Sequence, residues 1–358
     1  MMRRAAVAVL ALLLVAGCAV QGDRAPASAL QRGCEFLWSQ QAQDGGWHSA
    51  TYGLLKSGQS LTPFVLNTLV QIPESACKAP AGGVDRALAF IKRNTNSEGA
   101  VGKTDPLLHD YPNYASALAV QAIRRAARAN WREQVAPIVA WLRTQQLNES
   151  HGWKRADAAY GAWGMGGEPR VAPNAGHIDM SMTRHVVQAL AAAEVPPADP
   201  AMTRARVFVE RCQNPDGGFF FSTVVVDANK AGQDEGARYR SYGTATADGI
   251  LALLALGDKP STDRVQSAAK WLSAHDIPDG APGFKGDAYK RWTPGLRFYY
   301  AGTSAEAFNG LSLKASRQLM SSLESSQRKD GSWSNAENLV KEDDPLIATT
   351  FAVSVLRQ

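Results

Sequence analysis

The sequence has few cysteines and no apolar run long enough to span a bilayer. Its N-terminal apolar stretch covers only residues 5–16, whereas a membrane-spanning helix needs about 20 apolar residues. None of the four cysteines belongs to a Cys-x-x-Cys pair, so a common sign of a structural zinc site is missing. The chain also lacks a phosphate-binding loop, Gly-x-Ser-x-Gly and His-Glu-x-x-His, which argues against the enzyme classes that those motifs define.

A large excess of charge of either sign is missing too. The formal net charge is +5 at pH 7, and Arg3 and Arg4 alone supply two of these charges. We expect no nucleic-acid partner, because nucleic-acid-binding domains concentrate basic residues far more strongly. The 358 residues are 45% hydrophobic, which is ordinary for a globular protein and sufficient for a large core.

The first 18 residues have the pattern of a secretory signal. Arg3 and Arg4 precede the apolar stretch, and Cys18 follows it closely. The ending Val-Ala-Gly-Cys resembles the lipobox of bacterial lipoproteins. The resemblance implies cleavage before Cys18 and lipidation of Cys18, so that the membrane is a partner through the lipid anchor. An ordinary signal peptide with an incidental cysteine is the alternative.

This interpretation sets two boundaries and a location. Residues 19–28 would form a tether, and residues 29–358 would form the folded domain. The residue after Cys18 is Ala19 and not an aspartate. By the same resemblance, Ala19 favours the bacterial cell envelope, on the periplasmic side of the outer membrane.

Three further cysteines remain in the folded domain. They are Cys34, Cys77 and Cys212. We interpret them as buried free thiols, with a Cys34–Cys77 disulfide as the alternative, because spacing alone cannot show a bridge.

One pattern recurs three times: Gln, three residues, Gly, one residue, then Trp or Phe. The Gln lies four residues after an aliphatic residue, and the same spacing precedes Thr95, Gln146 and Asp276, which makes six copies. Gly after a helix allows left-handed backbone and ends the helix, so we interpret the motifs as structural staples. The three full copies are Gln41, Gly45 and Trp47, then Gln213, Gly217 and Phe219, then Gln327, Gly331 and Trp333.

A second element follows each copy. It starts at a Ser or Thr and carries small or apolar residues three, four and seven positions later, which is one face of an α-helix. A hydroxyl near the first turn can satisfy the free N–H groups there. The six hydroxyl residues are Thr62, Ser116, Thr183, Thr246, Ser304 and Thr349.

The two elements together predict an all-α fold of six helix pairs. The first helix of a pair is polar between its apolar positions, as in residues 264–274, whereas the second is apolar nearly all round, as in residues 250–256. A helix that is apolar all round is buried. We therefore expect an α6–α6 (α/α) toroid, with six inner helices inside six outer helices.

The motif after each outer helix resembles the QW motif of squalene–hopene cyclases and oxidosqualene cyclases, and protein prenyltransferase β-subunits share that toroid. The resemblance covers about residues 28–358. It implies a prenyltransferase/squalene oxidase repeat protein of the terpenoid cyclase and protein prenyltransferase superfamily, with a hydrophobic central cavity. It leaves the activity open, because one fold hosts many functions.

The chemistry of that superfamily is only partly matched. The acid motif of the squalene–hopene cyclases, Asp-x-Asp-Asp-Thr, corresponds to Asp179–Thr183, where Ser181 and Met182 replace two aspartates. By resemblance to the oxidosqualene cyclases, Asp179 is the candidate catalytic acid. The zinc site of the prenyltransferases is not expected, since no cysteine accompanies His177 in a matching context. No other metal or cofactor is implied.

The longest connections mark one end of the ring. From the motif Gln or its substitute to the next Ser or Thr, the separations are 21, 21, 37, 33, 28 and 22 residues. Insertions on one face usually mark a binding face, and the helix N-termini there favour an anionic group. Aromatic side chains suit apolar chains, sugars or cations, although they could merely pack the long loops. The candidate ligand-binding residues are Tyr160, Trp163, His177, Tyr239, Tyr242, Trp292, Tyr299 and Tyr300.

Three functions fit these features. The favoured one is a lipid-anchored binding or scaffold protein that holds an isoprenoid, another apolar ligand or a protein partner, because the ring is intact while the acid motif is incomplete. The second is a terpenoid cyclase-class or prenyltransferase-like enzyme on a polyprenyl substrate, with Asp179 as the acid. Asp248 and Glu306, near the start of inner helices, are either cavity acids or charges that interact with the helix dipole. The third is a polysaccharide lyase or glycosidase-like toroid.

Overall fold

The computed structural model describes residues 27–104 and 109–358. The predicted signal segment, Cys18 and most of the predicted tether lie outside these residues. In the described part of the chain, β-structure is limited to isolated bridges, and no helix is long and apolar enough to cross a membrane. The α-helices are α1 (Ala29–Ser39), α2 (Leu61–Leu69), α3 (Gly83–Arg93), α4 (Pro112–Arg125), α5 (Trp131–Thr144), α6 (Met180–Ala192), α7 (Pro200–Arg211), α8 (Gly243–Ala255), α9 (Asp263–His275), α10 (Trp292–Gly295), α11 (Arg297–Gly310), α12 (Arg317–Ser326) and α13 (Pro345–Leu356).

Six of these helices form a closed inner ring. In ring order they are α2, α4, α6, α8, α11 and α13, and α13 returns to contact α2. Each outer helix (α1, α3, α5, α7, α9 and α12) packs against an inner one. The inner helices are buried on nearly every side, as in α8, where residues 243–253 are all buried, whereas the outer helices bury one stripe. The predicted α6–α6 toroid is therefore confirmed, with α10 as an extra turn before α11.

The motif glutamines join neighbouring helix pairs. Nε2 of Gln41 donates to the carbonyl oxygen of Gly45 at 3.0 Å and to that of Gly83, the first residue of the next outer helix, at 2.9 Å. The first acceptor is a carbonyl of the turn, and the second is a carbonyl at the start of the next outer helix. The same pair of bonds is made by Gln146 (to Gly161 and Ala201), Gln213 (to Gly217 and Arg264) and Gln327 (to Gly331 and Ala29).

The inner-helix hydroxyls do not satisfy the N–H groups of their own helix, and that prediction was wrong. Oγ1 of Thr62 accepts a hydrogen bond from the backbone N–H of Trp47 at 3.0 Å. The loop N–H is buried and needs an acceptor, and the hydroxyl inside the helix supplies it. The same bond joins Val101 to Ser116, Trp163 to Thr183, Phe219 to Thr246 and Trp333 to Thr349.

The third repeat contains an expanded copy of the motif that the fixed spacing concealed. Gln146 binds the carbonyl of Gly161, and Trp163 follows two residues later. Trp163 is fully buried, and its indole N–H donates to the carbonyl of Leu142 at 2.7 Å. Trp47 and Trp333 make the equivalent bonds to Leu37 and Leu323.

Cys34 in α1 and Cys77 in the loop after α2 form a disulfide. The interpretation of these two residues as free thiols was therefore wrong, and the alternative holds. Cys212 is free and buried, and burial raises the pKa of its thiol well above the ordinary value.

Candidate functional site

A cavity of about 310 Å³ lies on the ring axis, at the end where the inner helices begin. All six inner helices contribute to its wall, and so do the long loops between outer and inner helices. Its volume is at the lower end of the range of about 300–1,000 Å³ that small-molecule pockets span. The lining residues are Leu55, Ser60, Leu61, Phe64, Tyr111, Tyr114, Met165, Met182, Phe221, Lys230, Thr244, Leu296, Tyr299, Leu339, Val340, Lys341, Ile347 and Phe351.

Aromatic rings form the floor of this central cavity. Phe64 of α2 and Phe351 of α13 meet edge to face, with ring centroids 5.0 Å apart. Tyr114 lies against Phe64 at 6.4 Å, and Tyr299 lies against Phe351 at 5.5 Å. A second hollow of about 50 Å³ lies beyond Phe64 and Phe351, toward the other end of the ring. The rings therefore separate the central cavity from the far side of the toroid.

A buried polar cluster adjoins the floor at Tyr299. Its hydroxyl donates to Oδ2 of Asp248 at 2.6 Å and lies 2.6 Å from Oγ of Ser181. Oδ1 of Asp248 accepts from Nε of Arg184 at 2.9 Å, and both of these charged side chains are buried. Burial raises the pKa of Asp248, although Arg184 opposes that shift. Asp248 is thus a buried residue behind Tyr299, paired with Arg184, and not a charge that caps its helix.

The inner-helix N-termini largely bind the protein's own carboxylates. Asp179 and Asp344 are the N-caps of α6 and α13, and accept from the N–H groups of Met182 and Leu346. Two more carboxylates act from neighbouring loops. Glu342 accepts from Phe298 and Tyr299 in α11, and Asp110 accepts from Ser60 just before α2. The positive field predicted at this end is therefore neutralised internally at four of the six termini.

Asp179, the predicted acid, lies outside the cavity wall. Its Oδ1 accepts from the backbone N–H of Met182 at 2.7 Å, and its Oδ2 lies 3.3 Å from Nε2 of His177. Only 2% of its side chain is exposed. The carboxylate is thus used to begin α6, and its catalytic role stays a prediction that this placement does not favour.

The predicted ligand-binding aromatics do not converge on one site. Tyr299 lines the central cavity, and the Trp292 ring lies 5.5 Å from Nζ of Lys230 on the cavity wall. His177 lines a small hollow of about 110 Å³ beside α6. The hydroxyl of Tyr300 donates to Asp276 at 2.7 Å.

Three of the other four are packed against protein. Trp163 is a staple residue, Tyr160 donates to Glu149, and Tyr242 is fully buried against Phe284 at 5.2 Å. For these three, packing of the long loops is the role that the geometry supports.

Tyr239 belongs to a different hollow. This surface hollow of about 420 Å³ is also lined by Trp271, His275, Asp216 and Asp234. Nε1 of Trp271 donates to Asp216 at 3.1 Å, and His275 stacks on Trp271 with ring centroids 4.2 Å apart. The surface hollow is larger but polar and built from groups that already bind one another, so the central cavity is the better candidate site.

Sequence reasoning missed the two lysines of the central cavity. Lys230 lies in the loop before α8, and its Nζ is 4.1 Å from the centre of the Phe221 ring. Lys341 lies in the loop before α13 and donates to the hydroxyl of Tyr111 at 3.2 Å. Neither residue stands in a motif or a regular helix position, so no signal in the sequence distinguished them from surface lysines.

The closed double ring and its axial cavity define the class of protein as an α/α toroid. The family model for the prenyltransferase alpha-alpha toroid domain matches residues 2–171 and 167–339. The chain belongs to this family, within the superfamily of prenyltransferases and terpenoid cyclases. No curated protein matches it in sequence.

Solved structures of the same fold include enzymes of two kinds. The type II terpene cyclase MstE from Scytonema, in complex with geranylgeranyl dihydroxybenzoate, has a TM-score of 0.58 at 14% identity, over 92% of this chain and 95% of that one. The unsaturated glucuronyl hydrolase from Bacillus sp. GL1 has a TM-score of 0.59 at 13% identity, over 92% and 94%. A protein from Actinoplanes has a TM-score of 0.57 at 15% identity, over 92% and 98%. At these identities the likeness concerns the fold alone.

Proposed function

We propose that this protein binds an apolar small molecule, of isoprenoid or similar character, in the central cavity. The observation that carries the proposal is the lining of that cavity, which is aliphatic and aromatic apart from a few hydroxyls and two lysines. Burial of apolar ligand surface against such a wall contributes about 25 cal/mol per Å². The solved complex of a terpene cyclase with a geranylgeranyl compound supports the choice of ligand class, as a property of that relative.

We place this binding protein in the bacterial envelope, anchored by a lipid on Cys18 on the periplasmic side of the outer membrane. The Cys34–Cys77 disulfide supports the location, because disulfides persist mainly in oxidising compartments outside the cytosol. Mass spectrometry of the mature protein tests the anchor. An N-terminal diacylated or triacylated Cys18 is expected, and an N-terminus at any other residue would contradict it.

The binding itself is tested by mass spectrometry of small molecules extracted from protein purified from its native envelope. A stoichiometric isoprenoid or other apolar compound is expected. Val340 lines the central cavity from a loop, so Val340→Trp should reduce its occupancy strongly. Val171 is 61% exposed, and Val171→Trp is the matched control with unchanged occupancy. An empty extract from folded wild-type protein would contradict the proposal.

A second candidate is a cyclase-class enzyme that acts on a polyprenyl substrate. It is favoured by the hydrogen bond from the Tyr299 hydroxyl to Asp248, because this pair connects a buried carboxyl to the cavity. Turnover of a polyprenyl substrate that is lost in Tyr299→Phe and in Asp248→Asn would support it. If turnover survives in both variants and is lost in Asp179→Asn, Asp179 is the acid after all.

A further inference from the structure

Two ammonium groups and no carboxylate lie on the wall of the central cavity, as far as the described residues show. Lys230 approaches from the loop between α7 and α8, and Lys341 approaches from the loop between α12 and α13. The other lining residues are aliphatic, aromatic or hydroxyl-bearing. The wall therefore has a net positive charge inside an apolar enclosure.

Each lysine contacts aromatic rings. Nζ of Lys230 lies 4.1 Å from the ring centre of Phe221 and 5.5 Å from that of Trp292. Nζ of Lys341 lies 5.5 Å from the ring centre of Tyr52 and 5.7 Å from that of Tyr111. Among residues 27–104 and 109–358, neither ammonium has a carboxylate within 4.0 Å.

This arrangement is costly without a counter-ion. An ammonium that is partly removed from water loses hydration, and a cation–π contact returns only about 0.5–2 kcal/mol. Burial lowers the pKa of Lys230, and the negative charges of Asp179 and Asp248 offset that shift only in part. A bound anion would offset the penalty, because charge-assisted hydrogen bonds are stronger than neutral ones.

Four of the six helix N-termini attract an anionic ligand less strongly, because carboxylates of the protein already bind them. Asp179, Asp344, Glu342 and Asp110 fill these positions. Among the described residues, Lys230 and Lys341 are the cationic side chains on this wall. We infer that the ligand of the central cavity is an amphiphile, whose anionic oxygen head, a carboxylate or a phosphate, pairs with Lys230 and Lys341 while its apolar body fills the cavity.

This inference rests on the proposed function, and a matched ligand series separates the two. Isothermal titration compares dodecanol, laurate and dodecyl phosphate, which share one chain and differ in the head group. Wild-type protein should bind at least one anion tenfold or more tightly than dodecanol, and that advantage should shrink as salt rises. The preferred anion identifies the head group as carboxylate or phosphate.

Substitutions of Lys230 and Lys341 test whether these two side chains bind the anionic head group. In Lys230→Met/Lys341→Met the affinity for the anion should fall at least tenfold, while dodecanol binds as before. Lys230→Arg/Lys341→Arg should retain most of the anion affinity, and Lys329→Met, at an exposed lysine that does not line the cavity, should match the wild type. Circular dichroism establishes that each variant is folded.

Two results would overturn the inference. Equal binding of dodecanol and both anions by the wild type would contradict the anionic head and leave the proposed function intact. Undiminished anion binding in folded Lys230→Met/Lys341→Met would contradict the pairing of the head group with these lysines and would also leave the proposed function intact. Failure of all three ligands to bind would contradict the proposed function and, with it, this inference.

Discussion

The side-chain amide of Gln327 donates a hydrogen bond to the backbone carbonyl of Ala29, with 2.9 Å between the nitrogen and the oxygen. Gln327 follows the last outer helix, and Ala29 begins the first. The bond therefore connects the last repeat of the chain with the first, by the same contact that connects consecutive repeats elsewhere in the ring. The hydrogen bond that joins consecutive repeats therefore also closes the ring. Substitution of a motif glutamine should lower the stability of the fold.

Gln327→Ala should lower the free energy of unfolding by about 1–3 kcal/mol, because it removes two hydrogen bonds and leaves the turn carbonyl of Gly331 without its donor. Urea denaturation measures the change. Gln40 is exposed, and Gln40→Ala is the matched control, with a change within about 0.5 kcal/mol. Equal effects of the two substitutions would show that the staple contributes nothing to stability.

Gly217→Ala should lower the free energy of unfolding more than Gln40→Ala or Gly53→Ala. Gly217 has a φ of 90°, and a Cβ there would lie 2.6 Å from the carbonyl oxygen of Ser267 in the next outer helix. Left-handed backbone and a backbone clash act together, so a loss of more than about 2 kcal/mol is expected. Gly53 has nothing within 4 Å of an added Cβ, and thermal unfolding of Gly53→Ala should resemble that of the wild type. A stable Gly217→Ala protein would contradict the close approach of this turn to α9.

The disulfide should make stability depend on reductant. Cys34 and Cys77 are 43 residues apart, and closing a loop of that length contributes about 2–4 kcal/mol in the chain-entropy account. Dithiothreitol should therefore lower the denaturation midpoint of the wild type and of Cys212→Ala, but not that of Cys77→Ser. If the denaturation midpoint of the fully reduced wild type equals that of the oxidised wild type, the disulfide does not stabilise the fold.

Glu342 should give stability an unusual pH dependence. Burial raises the pKa of this carboxyl from its ordinary 4.5 to about 7. The folded protein then holds the proton more tightly than the unfolded chain, so the contribution of Glu342 is complete below pH 4.5 and is lost as the pH rises through about 7. Glu342→Gln cannot lose a proton. Its free energy of unfolding should fall less between pH 4.5 and 7 than that of the wild type, by about 1.4 kcal/mol or more.

Denaturation in urea across this pH range measures the difference between the two proteins. Asp248, whose pKa burial also raises, is present in both and cancels in the comparison. Parallel curves for wild type and Glu342→Gln would contradict the assignment of the pH dependence to this group.

The ring was predictable from the sequence because its contacts repeat. Gln41 and Trp47 make the same bonds as Gln327 and Trp333, and such periodic contacts leave a spacing that can be counted. The third copy was only half recognised, since the insertion between Gln146 and Gly161 destroys the spacing while the hydrogen bond survives.

The residues that face the ring axis were partly predictable from the positions of the inner-helix hydroxyl residues. The hydroxyl of Thr62 faces the loop N–H of Trp47, away from the ring axis. Two residues further on, a helix has turned by about 200°, so Phe64 faces the axis. The same step from Thr183, Thr246 and Thr349 finds His185, Asp248 and Phe351, all of which lie at the axis.

The positions of the two cavity lysines cannot be predicted from helix periodicity. Lys230 and Lys341 belong to irregular loops, where a side chain's direction depends on turns that have no period. Their position at the cavity is a property of the folded loops, and this is why the sequence favoured helix N-termini as the anionic site instead.

Photo-crosslinking with a diazirine derivative of geranylgeraniol, followed by peptide mapping, tests whether an apolar ligand occupies the cavity on the ring axis. Labels are expected on residues such as Met182, Tyr299 and Phe351, which line the cavity. These labels should be lost in Val340→Trp. Labels confined to the surface hollow at Tyr239 and Trp271, unchanged in Val340→Trp, would contradict that occupancy.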